Sequence, residues 1–109
     1  MAPTLFHIVL IKYQESLAPE KRTEIVNAFL ALKDTCLLPD GSTYIISIEG
    51  GRNNSPEGLG KGYDHAFIVT FKGAEDRDYY IKEDTVHHEF TKRLHDADVT
   101  VFDFESGAF

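Results

Sequence analysis

Apolar and polar positions alternate with two different periods along this chain, and the switches between them mark out its elements. Residues Leu5 to Tyr13 are rich enough in β-branched and aromatic side chains to predict a strand. Phe6, Ile8 and Leu10 lie on one of its faces and His7, Val9, Ile11 and Tyr13 on the other, so neither face suits water and the strand belongs at the centre of a sheet. Pro19 suits the first turn of a helix. Ile25, Val26, Phe29, Leu32 and Cys36 then fall in one stripe at the helical period of about 100° per residue, with Leu30 on its fringe, so an amphipathic helix is expected to cover one sheet face. The turn sequence Pro39-Asp40-Gly41-Ser42 precedes a second strand predicted over Thr43 to Glu49, where Tyr44, Ile46 and Ile48 alternate with Thr43, Ile45 and Ser47.

Gly50 to Gly62 contains five of the chain's eight glycines and reads as a long loop, either a functional lid or a mobile connector. As a phosphate cradle it lacks the Lys-Ser/Thr pair and the strand-to-helix setting. A third strand, Tyr63 to Phe71, sets Tyr63, His65, Phe67, Val69 and Phe71 against Asp64, Ala66, Ile68 and Thr70. Glu75 to Lys82 predicts a short helix, Asp84 the N-cap of another running to about His95, and Val99 to Glu105 a last strand. The order βαββααβ is an α+β pattern whose simplest arrangement is a four-stranded, mostly antiparallel sheet with helices on one face. Strands one and three then keep a second apolar face that the helices do not reach, which a second copy, a ligand or both must cover.

With 109 residues, 42% of them hydrophobic, the chain is expected to form one domain over residues 1–109. A domain of this size buries only about two-thirds of its unfolded surface, so association would add usefully to its stability. The net charge of −7 changes the picture of partners, because no cationic run exceeds the pairs Lys21-Arg22 and Lys92-Arg93. Nucleic acid and anionic membranes are therefore not expected as partners. No stretch approaches the roughly 20 apolar residues of a membrane span, and Met1-Ala2-Pro3-Thr4 lacks the features of a signal peptide, so a soluble, cytoplasmic protein is expected. Cys36, the single cysteine, sits in the helical stripe and is expected to be a small buried core residue.

Candidate chemistry gathers in Tyr79 to Phe90, behind the aromatic third strand. On a helical wheel Val86, Phe90 and Leu94 lie at about 0°, 40° and 80°, with His87 at about 100° beside them. His88 and His95, at about 200° and 180°, point away. His87 is thus the histidine expected to face an interior, where an imidazole serves either as a general base or as a hydrogen-bonded core residue. His7 and His65 lie on strands one and three, expected neighbours, and could approach each other or His87 across the open face. A three-histidine metal site is the alternative chemistry, but no close His-x-His or His-x-x-x-His pair supports it, so no metal is expected.

His7-Ile8-Val9-Leu10-Ile11-Lys12, Gly62 to Phe71, the Tyr80, Asp84, His87, Phe90 spacing and Phe102-Asp103-Phe104 together resemble the stress-responsive α/β-barrel (Dabb) family over nearly the whole chain. The resemblance implies a ferredoxin-like fold whose homodimer closes two sheets into an eight-stranded α+β barrel. The family includes stress-associated plant proteins without an established reaction and polyketide cyclases that need no cofactor. By that resemblance His87, with Phe90 three residues on, matches the cyclase base, Tyr79 or Tyr80 its positioning tyrosine, and His7 the strand-one histidine of the pocket. Asp84-Thr85 stands where the cyclases have His-Pro, and Phe29 where they have a helix-one tyrosine. His7, His65, Phe29, Val9, Phe67 and Phe90 are the residues expected to line a cavity for a small hydrophobic or aromatic ligand. Two functions follow: a cofactor-independent cyclase or lyase acting on a carbonyl compound through His87, or a non-enzymatic ligand-binding stress protein. A monooxygenase on the same barrel, heme-linked or cofactor-free, is a third.

Overall fold

The computed structural model describes residues 3–109; Met1 and Ala2, which belong to the reading of the chain start, lie outside the described residues. Four strands, β1 (Leu5–Lys12), β2 (Ser47–Arg52), β3 (His65–Phe71) and β4 (Asp98–Glu105), form one sheet in the order β2-β3-β1-β4. Every neighbouring pair is antiparallel. The long helix α1 (Pro19–Thr35) joins the first two strands, and α2 (Ala74–Lys82), α3 (Thr85–Thr91) and a 3-10 turn (Lys92–Leu94) join the last two. This is a ferredoxin-like α+β arrangement, and the doubly apolar β1 lies inside the sheet, as its pattern demands.

The face of β1 that meets the helices is the one carrying Leu5, His7, Val9 and Ile11, all buried. Opposite them in the register stand Phe71, Val69 and Phe67 of β3, also buried, so these two strands form the floor of the core. Its roof is Ile25, Phe29 and Leu32 from the α1 stripe, Tyr80 from α2, and Phe90 and Leu94 from the last helical segment. The rings of Phe29 and Phe67 stack with centroids 4.1 Å apart and Phe90 meets Phe29 edge-on at 5.0 Å, contacts that add about 0.5–1.5 kcal/mol each beyond the area they bury.

On the other face Ile68, Phe102 and Phe104 are exposed to 37%, 65% and 40% of their surface, and Phe6, Ile8 and Leu10 are only half-buried. Among the described residues no helix covers this face, so the apolar surface that the sequence leaves unaccounted for is present as an exposed patch. Among the described residues no helix is long and apolar enough to cross a membrane.

The second strand departs from its predicted bounds. Thr43 to Ile46 runs outside the ladder, held by a single bridge between Leu37 and Thr43 and by Ile46 N–H donating to Thr70 O, while the strand continues through Gly50, Gly51 and Arg52. The reason lies at Gly50, which faces Phe67. A Cβ there would lie 2.4 Å from that ring and 2.8 Å from Ala66 O, so glycine is what lets the strand pass over the aromatic core. A residue that reads as loop is a packing requirement of the sheet. The helix predicted from Asp84 to about His95 also divides, its α-helical part ending at Thr91 before the 3-10 turn.

Candidate functional site

The site forms where α2 turns into α3. Asp84 caps α3, its carboxylate accepting from Val86 N–H at 2.9 Å and His87 N–H at 3.1 Å, and the Tyr44 hydroxyl donates to the same buried carboxylate at 2.5 Å. The N–H groups of Glu83 and Asp84 both donate to Tyr79 O, closing the corner tightly. α3 therefore folds back over the end of α2. Two histidines then satisfy carbonyls that a helix end leaves open: Nδ1 of His87 donates to Tyr80 O at 2.8 Å, and Nε2 of His88 to Ile81 O at 2.6 Å.

A carbonyl only accepts, so the hydrogen bond to Tyr80 O fixes a proton on Nδ1 of His87. Burial pushes the His87 pKa down to about 4, with the Tyr80 carbonyl opposing the shift and His7 adding to it. The ring is therefore neutral near pH 7, with its lone pair on Nε2. It stacks on the Tyr80 ring, centroids 3.7 Å apart and planes 22° from parallel. His7 meets that same tyrosine ring from the sheet side, edge-on at 5.7 Å. Tyr80 is thus held between an imidazole from α3 and one from β1, and burial holds its phenol pKa well above the usual range.

His7 is oriented in its turn. Its Nδ1 donates to Asp103 Oδ1 at 2.7 Å, and Arg77 Nη1 donates to Asp103 Oδ2 at 2.9 Å, while Arg77 Nε donates to Asp78. The chain Arg77–Asp103–His7 joins α2, β4 and β1, and register explains it, since His7 and Asp103 face each other across the β1–β4 ladder. Neither Arg77 nor Asp103 was anticipated as a site residue. The available signal was a carboxylate in phase with Val99 and Val101 on an otherwise apolar strand face.

The two tyrosines separate. Tyr79 turns away from His87, its hydroxyl donating to Leu37 O at 3.0 Å and its ring meeting Tyr44, whereas Tyr80 is buried against both histidines. The histidine wheel is rotated from its expected phase: Phe90 and Leu94 are buried, but Val86 is 40% exposed and His87 half-buried. His7 and His65 share a face, and it is the helix-covered one. His7 pairs with Val69 and His65 with Ile11, which sets them four residues apart along the ladder, roughly 13 Å. His65 has its own partner, Tyr13 Oη, 2.9 Å from its Nδ1. Among the described residues no group of three histidine, cysteine or acidic side chains is placed to hold a metal ion.

Val9, Phe29, Phe67 and Phe90 lie together in the core, packed on one another. A surface groove of about 420 Å³ between α1 and α3 has Leu32, Val86 and Phe90 in its lining. Phe90 thus touches the groove on one side and Phe29 of the Phe29–Phe67 stack on the other. Cys36 is fully buried nearby, and burial first and the Asp84 carboxylate second push its thiol up to about 12, so it is an inert core thiol.

The sequence profile of the stress-responsive A/B barrel domain matches residues 5–106. The chain belongs to this family. A protein of Arabidopsis thaliana of known crystal structure is 28% identical to this A/B barrel, the alignment covering 96% of this chain and 97% of that one with a TM-score of 0.81. The hydroxynitrile lyase of Passiflora edulis superposes with a TM-score of 0.84 at 20% identity, over 100% and 99% of the two chains, a likeness of fold alone. A dimeric ferredoxin-like protein of unknown function from Bacteroides fragilis superposes with a TM-score of 0.66 at 24% identity, over 94% and 95%. No curated protein matches the chain.

Proposed function

We propose that this A/B barrel protein is a homodimer that binds a small apolar carbonyl compound and, without a cofactor, removes a proton from it through Nε2 of His87. The observation that carries this reading is the fixed tautomer: Nδ1–H is committed to Tyr80 O, so the other nitrogen is left as a base, and burial keeps it neutral. Tyr80, buried and stacked beneath it, is in this reading the tyrosine that positions the imidazole, and its raised pKa keeps the phenol protonated. His7, turned by Asp103 and Arg77, stands on the other side of Tyr80. A base with a pKa near 4 is weak, so the substrate is one with an acidified C–H or O–H, such as a β-polyketone. A lyase on the same fold agrees with chemistry of this class.

A second reading rests on a specific observation. His87 and His88 both donate to the last carbonyls of α2, and the aromatic rings behind them are closed on one another, which suits a ligand-binding stress protein whose histidines serve only as helix ends. His87→Asn separates the two. The amide nitrogen of asparagine can replace Nδ1–H toward Tyr80 O but offers nothing in place of Nε2. On the catalytic reading His87→Asn retains the fold and lowers turnover of a β-polyketone by about 100-fold or more. Unchanged turnover, or a wild-type protein that neither binds nor converts such a compound, gives the site to the structural reading.

A further inference from the structure

Where the connection from α1 to β2 meets the start of α2, a cleft of about 310 Å³ opens, within the size range of ordinary small-molecule pockets. Its lining includes a buried carboxylate. Asp76, in the first turn of α2, is 6% exposed, and among the described residues no hydrogen-bond donor reaches its Oδ2. Lys72 Nζ stands 3.7 Å from that oxygen, well beyond the roughly 2.8 Å of a charge-assisted hydrogen bond, and the lysine side chain is 75% exposed. An exposed ammonium at that range stabilises little, whereas taking a carboxylate out of water is costly unless a donor meets it. Asp76 is thus buried without the partner that its burial calls for.

The other polar side chains of the lining are committed elsewhere or lie at the surface. Tyr44 Oη donates to Asp84, and Ser42 Oγ donates at 2.6 Å to Asp40, which also accepts from Ser42 N–H. Thr43 is exposed, as are Asp40 and Glu75, the acids nearest along the chain. Lys72 is the one cation in the lining. Leu38, Ile45 and Ile46 make the rest of the wall apolar: Ile45 is buried, Leu38 packs on the core and Ile46 is half-exposed. Backbone contacts hold the two sides of the cleft together. Leu38 N–H donates to Ser42 O on one side, and Ile46 N–H crosses to Thr70 O, two residues before Lys72. Lys72 lies four residues before Asp76, so the lysine and the acid face the same cleft. Phe6, Phe102 and Phe104 of the open sheet face are not part of it.

A buried acceptor short of a donor, an apolar wall and a loosely held lysine beside them fit a ligand that brings its own ammonium group. We propose that this cleft binds a small organic amine in its protonated form, its N–H groups on the Asp76 carboxylate in place of Lys72 and its apolar body against Leu38, Ile45 and Ile46. The net charge of −7 favours a cation at long range as well. The site uses other residues than His87 and does not rest on the proton-transfer reading.

The test is a titration of the ¹⁵N-labelled full chain at pH 7 with benzylamine, its neutral counterpart benzyl alcohol, and magnesium chloride as a bare cation. The proposal expects benzylamine to shift the amide signals of Thr43, Ile45, Ile46 and Asp76 and to bind at least about tenfold more tightly than benzyl alcohol. Asp76→Asn, which keeps the shape of the side chain, should weaken benzylamine about tenfold, and His87→Asn should leave it unchanged. Lys72→Gln, at an exposed position, removes the competing ammonium and should tighten benzylamine about twofold or more. That variant carries the test if Asp76→Asn does not fold. Equal affinity for benzylamine and benzyl alcohol, or unchanged affinity in a folded Asp76→Asn, overturns the carboxylate as the anchor. Weaker binding to Lys72→Gln overturns the displacement of the lysine, magnesium binding as tightly as benzylamine overturns the organic amine, and shifts centred on α3 or the open sheet face, or absent altogether, overturn the site.

Discussion

His87 and His88 stand side by side, bond to successive carbonyls and differ as reagents because only one of them is buried against the core. At His88 the bonded nitrogen is Nε2 and the ring is exposed. At His87 burial sets the charge, and that has a thermodynamic consequence. In the unfolded chain the ring takes up a proton near pH 6.5, in the folded protein only near pH 4, so between those values the unfolded state binds more protons and stability rises with pH. The stabilisation is complete above about pH 6.5 and is lost as the pH falls toward 4. Solvent screening of a half-buried ring reduces its size to about 1–3 kcal/mol. Urea denaturation at pH 7.5 and pH 4.5 should show this loss in the wild type and a clearly smaller one in His87→Asn; an identical loss in both would assign the acid sensitivity to other groups. The same group sets the activity expected of a base, with kcat/KM level near neutrality and falling as pH drops through about 4.

The corner between α2 and α3 shows how one side chain can hold an element in place. Asp84 accepts from two N–H groups of α3 and from the Tyr44 hydroxyl, and it is 2% exposed. Loss of an N-cap acceptor costs about 0.5–2 kcal/mol, and an abandoned buried hydroxyl about 1–3 more. Asp84→Ala should therefore destabilise the protein by about 2–4 kcal/mol, measured by thermal or urea unfolding, and loosen the stacking of His87 on Tyr80. A change under 0.5 kcal/mol would mean the corner is held by other contacts. Asp84 as a cap is legible in the sequence, because an acidic residue before a helical stripe has one common local use. So are β1, with its two apolar faces, and α1, with Pro19 at its start and Ile25, Phe29 and Leu32 buried as the stripe requires. What local pattern could not show are contacts made by register. His7 meets Asp103 across 96 positions of chain, and Gly50 is in a strand because Phe67 of the next strand needs the room. Tyr44 and Ile45 illustrate the converse, being buried like strand residues while their backbone leaves the ladder. The choice between Tyr79 and Tyr80 was likewise out of reach, since adjacent helical residues are separated only by what packs on each.

For the whole molecule the open sheet face decides the next question. Helices cover one side of β1 and β3; on the other, Phe102 is 65% exposed and Phe104 40%, with Ile68 and the half-buried Phe6, Ile8 and Leu10 beside them. β4 is also an edge strand with its outer backbone groups unpaired in the sheet, and Val99 and Val101 are exposed on its helix side. An apolar patch of this kind on a monomer marks an association surface, and burying each such phenylalanine stabilises by about 1.5–3 kcal/mol, enough in aggregate to exceed the cost of bringing two chains together. The expected state is a homodimer at micromolar concentration, with twice the mass of one chain by light scattering. Phe102→Asp puts a charge at the most exposed aromatic of the patch without touching the helix-covered core, so it should yield a folded monomer. Its circular dichroism should match that of the wild type while its scattering mass halves. If the wild type is itself a stable monomer, the open face is not buried by a second copy. If Phe102→Asp remains a dimer of unchanged affinity, the two chains associate through another surface, and β4 with its exposed valines is then the first place to look.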